Sequence, residues 1–273
     1  MTKEKRKYKT NSVHDKYYTK VDVARKCIIS ILSKISDIDV FIEPSAGNGS
    51  FSRQIDGYCI AIDKYPAHPS IVEMDFFAFH PEGANLNGEK VCCFGNPPFG
   101  RNASIAVRFF NHAAEFSTYI AFILPRTFRK ISVQNRLHKS FHLIHDEDIP
   151  KRSFIYEGEE IDVPCAFQIW ERREVEREIV KLKITTDLFD FATKEDCDFA
   201  VRRVGGSTGR VFVNISEMSE QSNYFIKSKE LETDELVSII NSIDFSKIIN
   251  NTAGVRSLSK RELIRLVEER YDF

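Results

Sequence analysis

Four consecutive residues, Asn96-Pro97-Pro98-Phe99, carry the chemistry that the rest of the chain must position. They follow Val91-Cys92-Cys93-Phe94-Gly95, a short, continuous apolar run that reads as a buried strand. Two prolines then exclude both more ladder and an immediate helix, so the backbone stays stiff and extended at the strand's carboxyl end. In open α/β sheets that edge is where ligands sit. The segment offers a side-chain amide, a carbonyl with no ladder partner and an aromatic face. Such a set can hold a flat heterocycle bearing an exocyclic amine: the two oxygens accept from the amine, and the ring stacks.

A second cluster lies upstream. Residues 39–43 are predicted as a strand, followed at once by Pro44, Ser45, Ala46, Gly47, Asn48 and Gly49, then a helix start. Strand, tight glycine turn and helix make the first βα unit of a nucleotide-binding sheet. The run is not G-x-G-x-x-G and lacks G-K-[ST], which disfavours a phosphate cradle. An acid at the strand end, Glu43, would repel a pyrophosphate and welcome a sulfonium or an α-amino group. The next predicted strand, 58–63, ends in Asp63, 20 residues after Glu43, where such sheets grip a ribose diol. A third, 71–77, carries Asp75 and Phe76, an acceptor for an adenine amine and a ring to pack on it.

The elements that position these residues follow from periodicity. Ala24, Cys27, Ile28, Ile31, Leu32 and Ile35 keep a 3.6-residue period, with Thr19 and Asp22 as its cap. Residues 104–116 predict a helix, 118–124 a buried strand ended by Pro125, 141–145 a sixth strand and 163–170 a seventh. The loop Arg126-Thr127-Phe128-Arg129-Lys130 falls at the ligand edge, where its bases suit phosphate. Residues 148–156 predict a loop with two bases and two aromatics. His138, His142 and His145 do not make a metal site, because on a strand His142 and His145 face opposite ways.

Beyond about residue 174 the register changes to short strand-like segments (178–185, 199–204, 210–215, 224–227) and two helices (234–243, 262–269), the second with a Ser259/Glu262 capping box. The loop 201–210, with Arg202 and Arg203, reads equally as a nucleic-acid contact or a plain hairpin turn. The expected organisation is a basic tail at 1–14, a sheet domain at 15–173 and a small α+β region at 174–273.

Composition sets the class. With 42% hydrophobic and 29% charged residues among 273, this is ordinary globular material. The net charge of −1 means that nucleic-acid binding must rest on local patches. Six cysteines lie mostly in apolar runs without a C-x-x-C, so buried reduced thiols are expected. There is no 18-residue apolar stretch and no signal-peptide pattern, which predicts a soluble intracellular protein without a membrane partner.

The order Tyr18-Thr19, then 43–49, then Asn96-Pro97-Pro98-Phe99, then a divergent region resembles the S-adenosylmethionine-dependent amino-methyltransferases, above all the N6-adenine DNA methyltransferases of the γ group. The resemblance covers residues 15–173. It implies a Rossmann-like, seven-stranded class I methyltransferase sheet with helices on both faces. It implies S-adenosyl-L-methionine as cofactor, with Glu43 near the methionine amine, Asp63 on the ribose, Asp75 and Phe76 at the adenine, and Thr19 closing over the methionine end. It also implies transfer to an adenine amine flipped out of DNA, or of RNA as the alternative, with Phe99 stacking on the base and Phe154 as a second stacking aromatic. A glutamine amide substrate or a silent nucleic-acid-binding subunit fits less well: the chain has no helical N-terminal domain and keeps both motifs intact.

Overall fold

A computed structural model describes residues 17–84, 86, 88–252 and 254–272; the basic tail at 1–14 lies outside them. The chain forms two compact units. The first runs to Pro125 and resumes over Arg136–Glu178; the second takes Arg126–Asn135 and everything from Ile179. The basic loop after Pro125 therefore groups with the C-terminal region.

The first unit contains β1 (Tyr18–Thr19), α1 (Val21–Lys34), β2 (Val40–Glu43), β3 (Cys59–Asp63), β4 (Val72–Glu73), β5 (Val91–Gly95), α2 (Ser104–Ala113), β6 (Tyr119–Pro125), β7 (Phe141–Asp148), β8 (Phe154–Tyr156), β9 (Glu159–Ile161) and β10 (Cys165–Arg172). Seven strands form one sheet in the order β4-β3-β2-β5-β6-β10-β7. The first five are parallel, and β10 runs antiparallel between β6 and β7. This is the Rossmann-like α/β fold expected from the sequence. The chain grows outward from β2 to β4, then returns to place β5 on the other side of β2. The strand order thus reverses between β2 and β5, the switch point at whose carboxyl ends open α/β sheets hold their ligands.

Alternation sorts the side chains. Cys92 and Phe94 of β5, Ala121 and Ile123 of β6, and Phe167 and Ile169 of β10 share one core with Ala24, Cys27, Ile28 and Ile31 of α1. The period of 2 in the strands meets the period of 3.6 in the helix. On the other face Phe110 of α2 packs edge-on against Phe141 and Trp170, with ring centroids 5.7 and 5.4 Å away. Burying each such ring contributes about 2–3 kcal/mol.

Three local expectations are corrected. No α-helix follows β2: Ser52–Gln54 makes a single 3-10 turn, because Asp56-Gly57 breaks the chain just before β3. The cap of α1 is Lys20 without a side-chain hydrogen bond, since Thr19 is drawn into a strand. The loop 148–156 contains β8, which pairs with both β1 and β9 in a separate three-stranded sheet. No helix among the described residues is long and apolar enough to cross a membrane.

The second unit contains α3 (Ile131–Gln134), β11 (Phe189–Phe191), β12 (Phe199–Arg202), β13 (Val211–Phe212), β14 (Asn223–Ser228), α4 (Thr233–Asn241), α5 (Ser246–Ile249) and α6 (Lys260–Tyr271). Its sheet, β11-β14-β12-β13, buries Phe189, Phe199 and Ile226 against Leu236 and Ile240 of α4 and Leu263, Ile264 and Val267 of α6. The Ser259/Glu262 capping box is present. Residues 178–185 are not a strand; Ile179, Val180 and Ile184 are exposed there. The 201–210 loop is the turn of the β12–β13 hairpin, closed by Gly209 N–H donating to the Arg202 carbonyl at 2.8 Å.

Candidate active site

The crevice at the ends of β2 and β5 brings the two motifs together. Glu43, 1% exposed, ends β2, and Gly95 ends β5 beside it. A Cβ on Gly95 would stand 3.1 Å from Glu43 Cγ, and its φ of +120° suits only glycine, so both space and backbone demand this residue. The Ser45 hydroxyl donates to the Asn96 carbonyl at 3.1 Å, joining the glycine loop directly to the Asn-Pro-Pro-Phe segment.

The glycine loop is tightly held. Ala46 N–H donates to Ile62 O at 3.0 Å, Gly49 N–H to Ala46 O at 2.7 Å, and Gly47 N–H to Asp63 Oδ2 at 2.7 Å. Asn48 Oδ1 accepts from Ser50 N–H and hydroxyl at 3.2 and 2.7 Å, folding the turn on itself. Pro44 is buried under this loop, and the Tyr18 ring lies across Gly47, whose added Cβ would meet it at 3.0 Å. Asp63 also accepts from Tyr65 N–H at 2.7 Å, so its two oxygens organise the loops at the ends of β2 and β3.

Glu43 accepts from Ser52 N–H at 2.9 Å and has no cationic partner among the described residues. Burial pushes its carboxyl up to about 8, against the opposing pull of Ser52. A buried acid at the crevice without a countercharge fits the cationic part of S-adenosylmethionine.

Asn96 is the second unsatisfied group. Its Nδ2 donates to Thr19 Oγ1 at 3.2 Å and towards Tyr17 O at 3.4 Å. A backbone carbonyl can only accept, so this contact fixes which end of the amide is nitrogen. The other end, Oδ1, is buried and has no hydrogen-bond partner among the described residues. Pro97 is buried, and its carbonyl accepts no hydrogen bond among the described residues; Pro98 is exposed and the Phe99 ring half-buried. After Gly100 the chain passes through two left-handed non-glycine residues, Asn102 (φ 52°) and Ala103 (φ 59°), before α2 starts. Such backbone is uncommon and clusters near functional sites.

Other expected site residues fall elsewhere. Phe76 is 2% exposed, with its ring among Phe109 (5.1 Å) and His112 (4.8 Å), so it is a core side chain with no face for a ligand. Asp75, half-buried, pairs with Lys64 at 2.9 Å and caps the 3-10 turn at Phe77 N–H. Lys64 and that N–H hold its carboxyl below the usual range. Phe154 is 1% exposed within the α1 core and cannot stack on a base. The more accessible aromatics at that sheet are Tyr17, exposed, and Tyr156, half-buried, stacked 5.0 Å apart at 27°; sequence reasoning missed them because their pairing depends on β1 meeting β8.

Arg126, Arg129, Lys130, Arg202 and Arg203 belong to the second unit. There Lys130 pairs with Glu262 at 3.2 Å, Arg202 donates to the Ser222 hydroxyl at 3.0 Å, and Arg203 donates to Gln221 O at 3.1 Å while lying over the Tyr224 ring. Among the described residues no three metal-ligating side chains cluster.

No family model and no curated protein matches the chain. Among solved structures it is similar to a modification subunit of a putative type I restriction enzyme from Vibrio vulnificus YJ016, at 15% identity over 58% of this chain, with a TM-score of 0.41. The chain spans 45% of the length of that protein. It is also similar to a putative RNA methyltransferase, PH1948, from Pyrococcus horikoshii, at 18% identity over 60% of this chain and 91% of that one, TM-score 0.40. A putative hemolysin from Streptococcus thermophilus matches at 11% identity over 62% and 72%, TM-score 0.41. Likeness at this level carries no argument about activity, and the fold class rests on the strand order.

Proposed function

We propose that this chain is an S-adenosylmethionine-dependent methyltransferase acting on the N6 amine of adenine in DNA. The observation that carries the reading is the Asn96 amide: its nitrogen is held by Thr19 and Tyr17, and its buried oxygen has no partner among the described residues. A buried acceptor without a donor costs about 1–3 kcal/mol. Next to an equally open Pro97 carbonyl, it forms the two-acceptor set that an exocyclic amine requires.

The adenine amine is a weak nucleophile because its lone pair is delocalised into the ring. Asn96 Oδ1 and the Pro97 carbonyl accept its two hydrogens, turn the nitrogen towards sp³ and localise the pair. They also stabilise the positive charge that grows on nitrogen as its bond to carbon forms, an electrostatic role that preorganised dipoles perform well. Phe99 supplies the stacking face for an extruded base. Bound at this crevice, S-adenosylmethionine supplies an electrophilic methyl group. Glu43 is the residue that answers the cofactor's positive charge, and the rigid 44–49 loop shapes its seat. As the nitrogen–carbon bond forms, the sulfur–methyl bond would break with its electron pair left on sulfur as the neutral thioether, S-adenosylhomocysteine, and the nitrogen then gives one proton to solvent. No general base is needed, and positioning supplies most of the rate.

The test is transfer from tritiated S-adenosylmethionine to matched duplex DNA, single-stranded DNA and RNA, with nucleoside analysis. The expected product is N6-methyldeoxyadenosine. Label confined to RNA would move the substrate to RNA, and cofactor binding with no transfer to any of the three would overturn the nucleic-acid reading.

A further inference from the structure

Asparagine presents two ends of almost equal shape, and rotation about its terminal torsion exchanges them. Only one orientation is competent in the chemistry above. With Oδ1 outward the amide accepts from an amine; with Nδ2 outward it sets N–H against N–H. Something must therefore hold the amide by its nitrogen.

Resting on that reading of the site, we propose that Thr19 is a positioning residue: the acceptor-only Tyr17 carbonyl selects the nitrogen end of the Asn96 amide, and the Thr19 hydroxyl holds it there, with the oxygen towards the substrate amine. Thr19 Oγ1 accepts from Asn96 Nδ2 at 3.2 Å and is the shorter of the two contacts that do so. The hydroxyl is itself fixed: Thr19 is 5% exposed, and β1 is paired to β8 with Thr19 opposite Phe154. Phe154, 1% exposed, roots β8 in the α1 core. A rigid path thus runs from the core through β8 and β1 to the amide. It explains why a two-residue strand replaces the side-chain cap that α1 would otherwise take from Thr19. Lys20 N–H donating to Ser153 O at 3.0 Å extends the same pairing.

Thr19→Val keeps the shape and strand preference and removes the hydroxyl, and with it the acceptor for Asn96 Nδ2; Thr19→Ser keeps the hydroxyl. Losing one such hydrogen bond corresponds to roughly a five- to tenfold change. Transfer is measured with tritiated S-adenosylmethionine and unmethylated plasmid DNA, and cofactor affinity by calorimetry. The side-chain amide resonances of Asn96 are read by NMR in the protein without cofactor. For Thr19→Val the expected result is a kcat lower by about tenfold with cofactor Kd within twofold, and shifted, faster-exchanging Asn96 amide protons. Thr19→Ser restores all three. Unchanged Asn96 resonances, or a weakened cofactor Kd with kcat intact, would overturn the proposal and make Thr19 a cofactor contact. Asn96→Ala with undiminished transfer would instead remove the underlying reading of the site, so the two failures are distinguishable.

Discussion

The motif residues of the first unit and the basic residues named in the second differ in how they are partnered. In the first, among the described residues, the Glu43 carboxyl is buried without a countercharge and the Asn96 amide oxygen is buried without a donor. In the second, Lys130 is paired with Glu262, and Arg202 and Arg203 are bonded to the residues leading into β14. Glu262 serves twice, since the oxygen that closes the capping box belongs to the carboxylate that meets Lys130. Folding alone favours satisfied groups, so an unsatisfied pair at a strand edge marks where a ligand's complement belongs. Satisfied bases beside a sheet mark a scaffold. Charge in the sequence suggested a nucleic-acid surface in the second unit, whereas partnered geometry assigns much of that charge to holding the unit together.

The largest effect on stability is expected in the apolar core that carries the first unit's motif residues. Phe154→Ala should lower stability by about 3–5 kcal/mol, read as a fall in the chemical-denaturation midpoint, because it empties a fully buried site. A variant of native stability would mean that Phe154 is free to serve as a stacking ring after all.

Glu43→Gln probes the unsatisfied side. The raised carboxyl, about 8 against an ordinary 4.5, means that the native state keeps a proton that the unfolded chain has released. Stability from this group is full below about pH 4.5 and is lost as pH rises through about 8. Wild-type Tm should therefore fall between pH 5 and 8.5 by several degrees more than that of Glu43→Gln. Cofactor affinity should rise over the same window, with a proton released on binding that appears as a buffer-dependent enthalpy. Parallel Tm profiles for the two proteins would contradict the assignment.

The smallest effect is expected for Lys130→Ala and Glu262→Ala. Each should lower stability by about 1–2 kcal/mol, with a coupling between them of about 0.5–1 kcal/mol in a double-mutant cycle. A loss of DNA affinity in Lys130→Ala without loss of stability would return Lys130 to the phosphate-contact role expected from sequence.

What could be read from the sequence was local. The apolar run at 91–95 and its two prolines specify a strand and its stop within a few residues, as does the capping box at Ser259/Glu262. The misreadings share one cause, dependence on distant partners. Phe76 sits beside an acid at a strand end and could as well face a ligand as α2; only the placement of Phe109 and His112 decides. Thr19 could cap a helix or join a strand, and β8, more than 130 residues away, decides that. Burial of Phe154 follows from the same pairing. The first glycine loop misled differently: its turn is as expected, but a breaker at Asp56-Gly57 leaves room for only one 3-10 turn.

The central claim is that the open oxygen of Asn96 receives the substrate amine. The most direct measurement is single-turnover methyl transfer by Asn96→Ala beside its S-adenosylmethionine Kd. The account predicts a rate lower by about 10²–10³, the range seen when one preorganised dipole at a reacting centre is removed, with Kd within threefold of wild type. Transfer at the wild-type rate would contradict it.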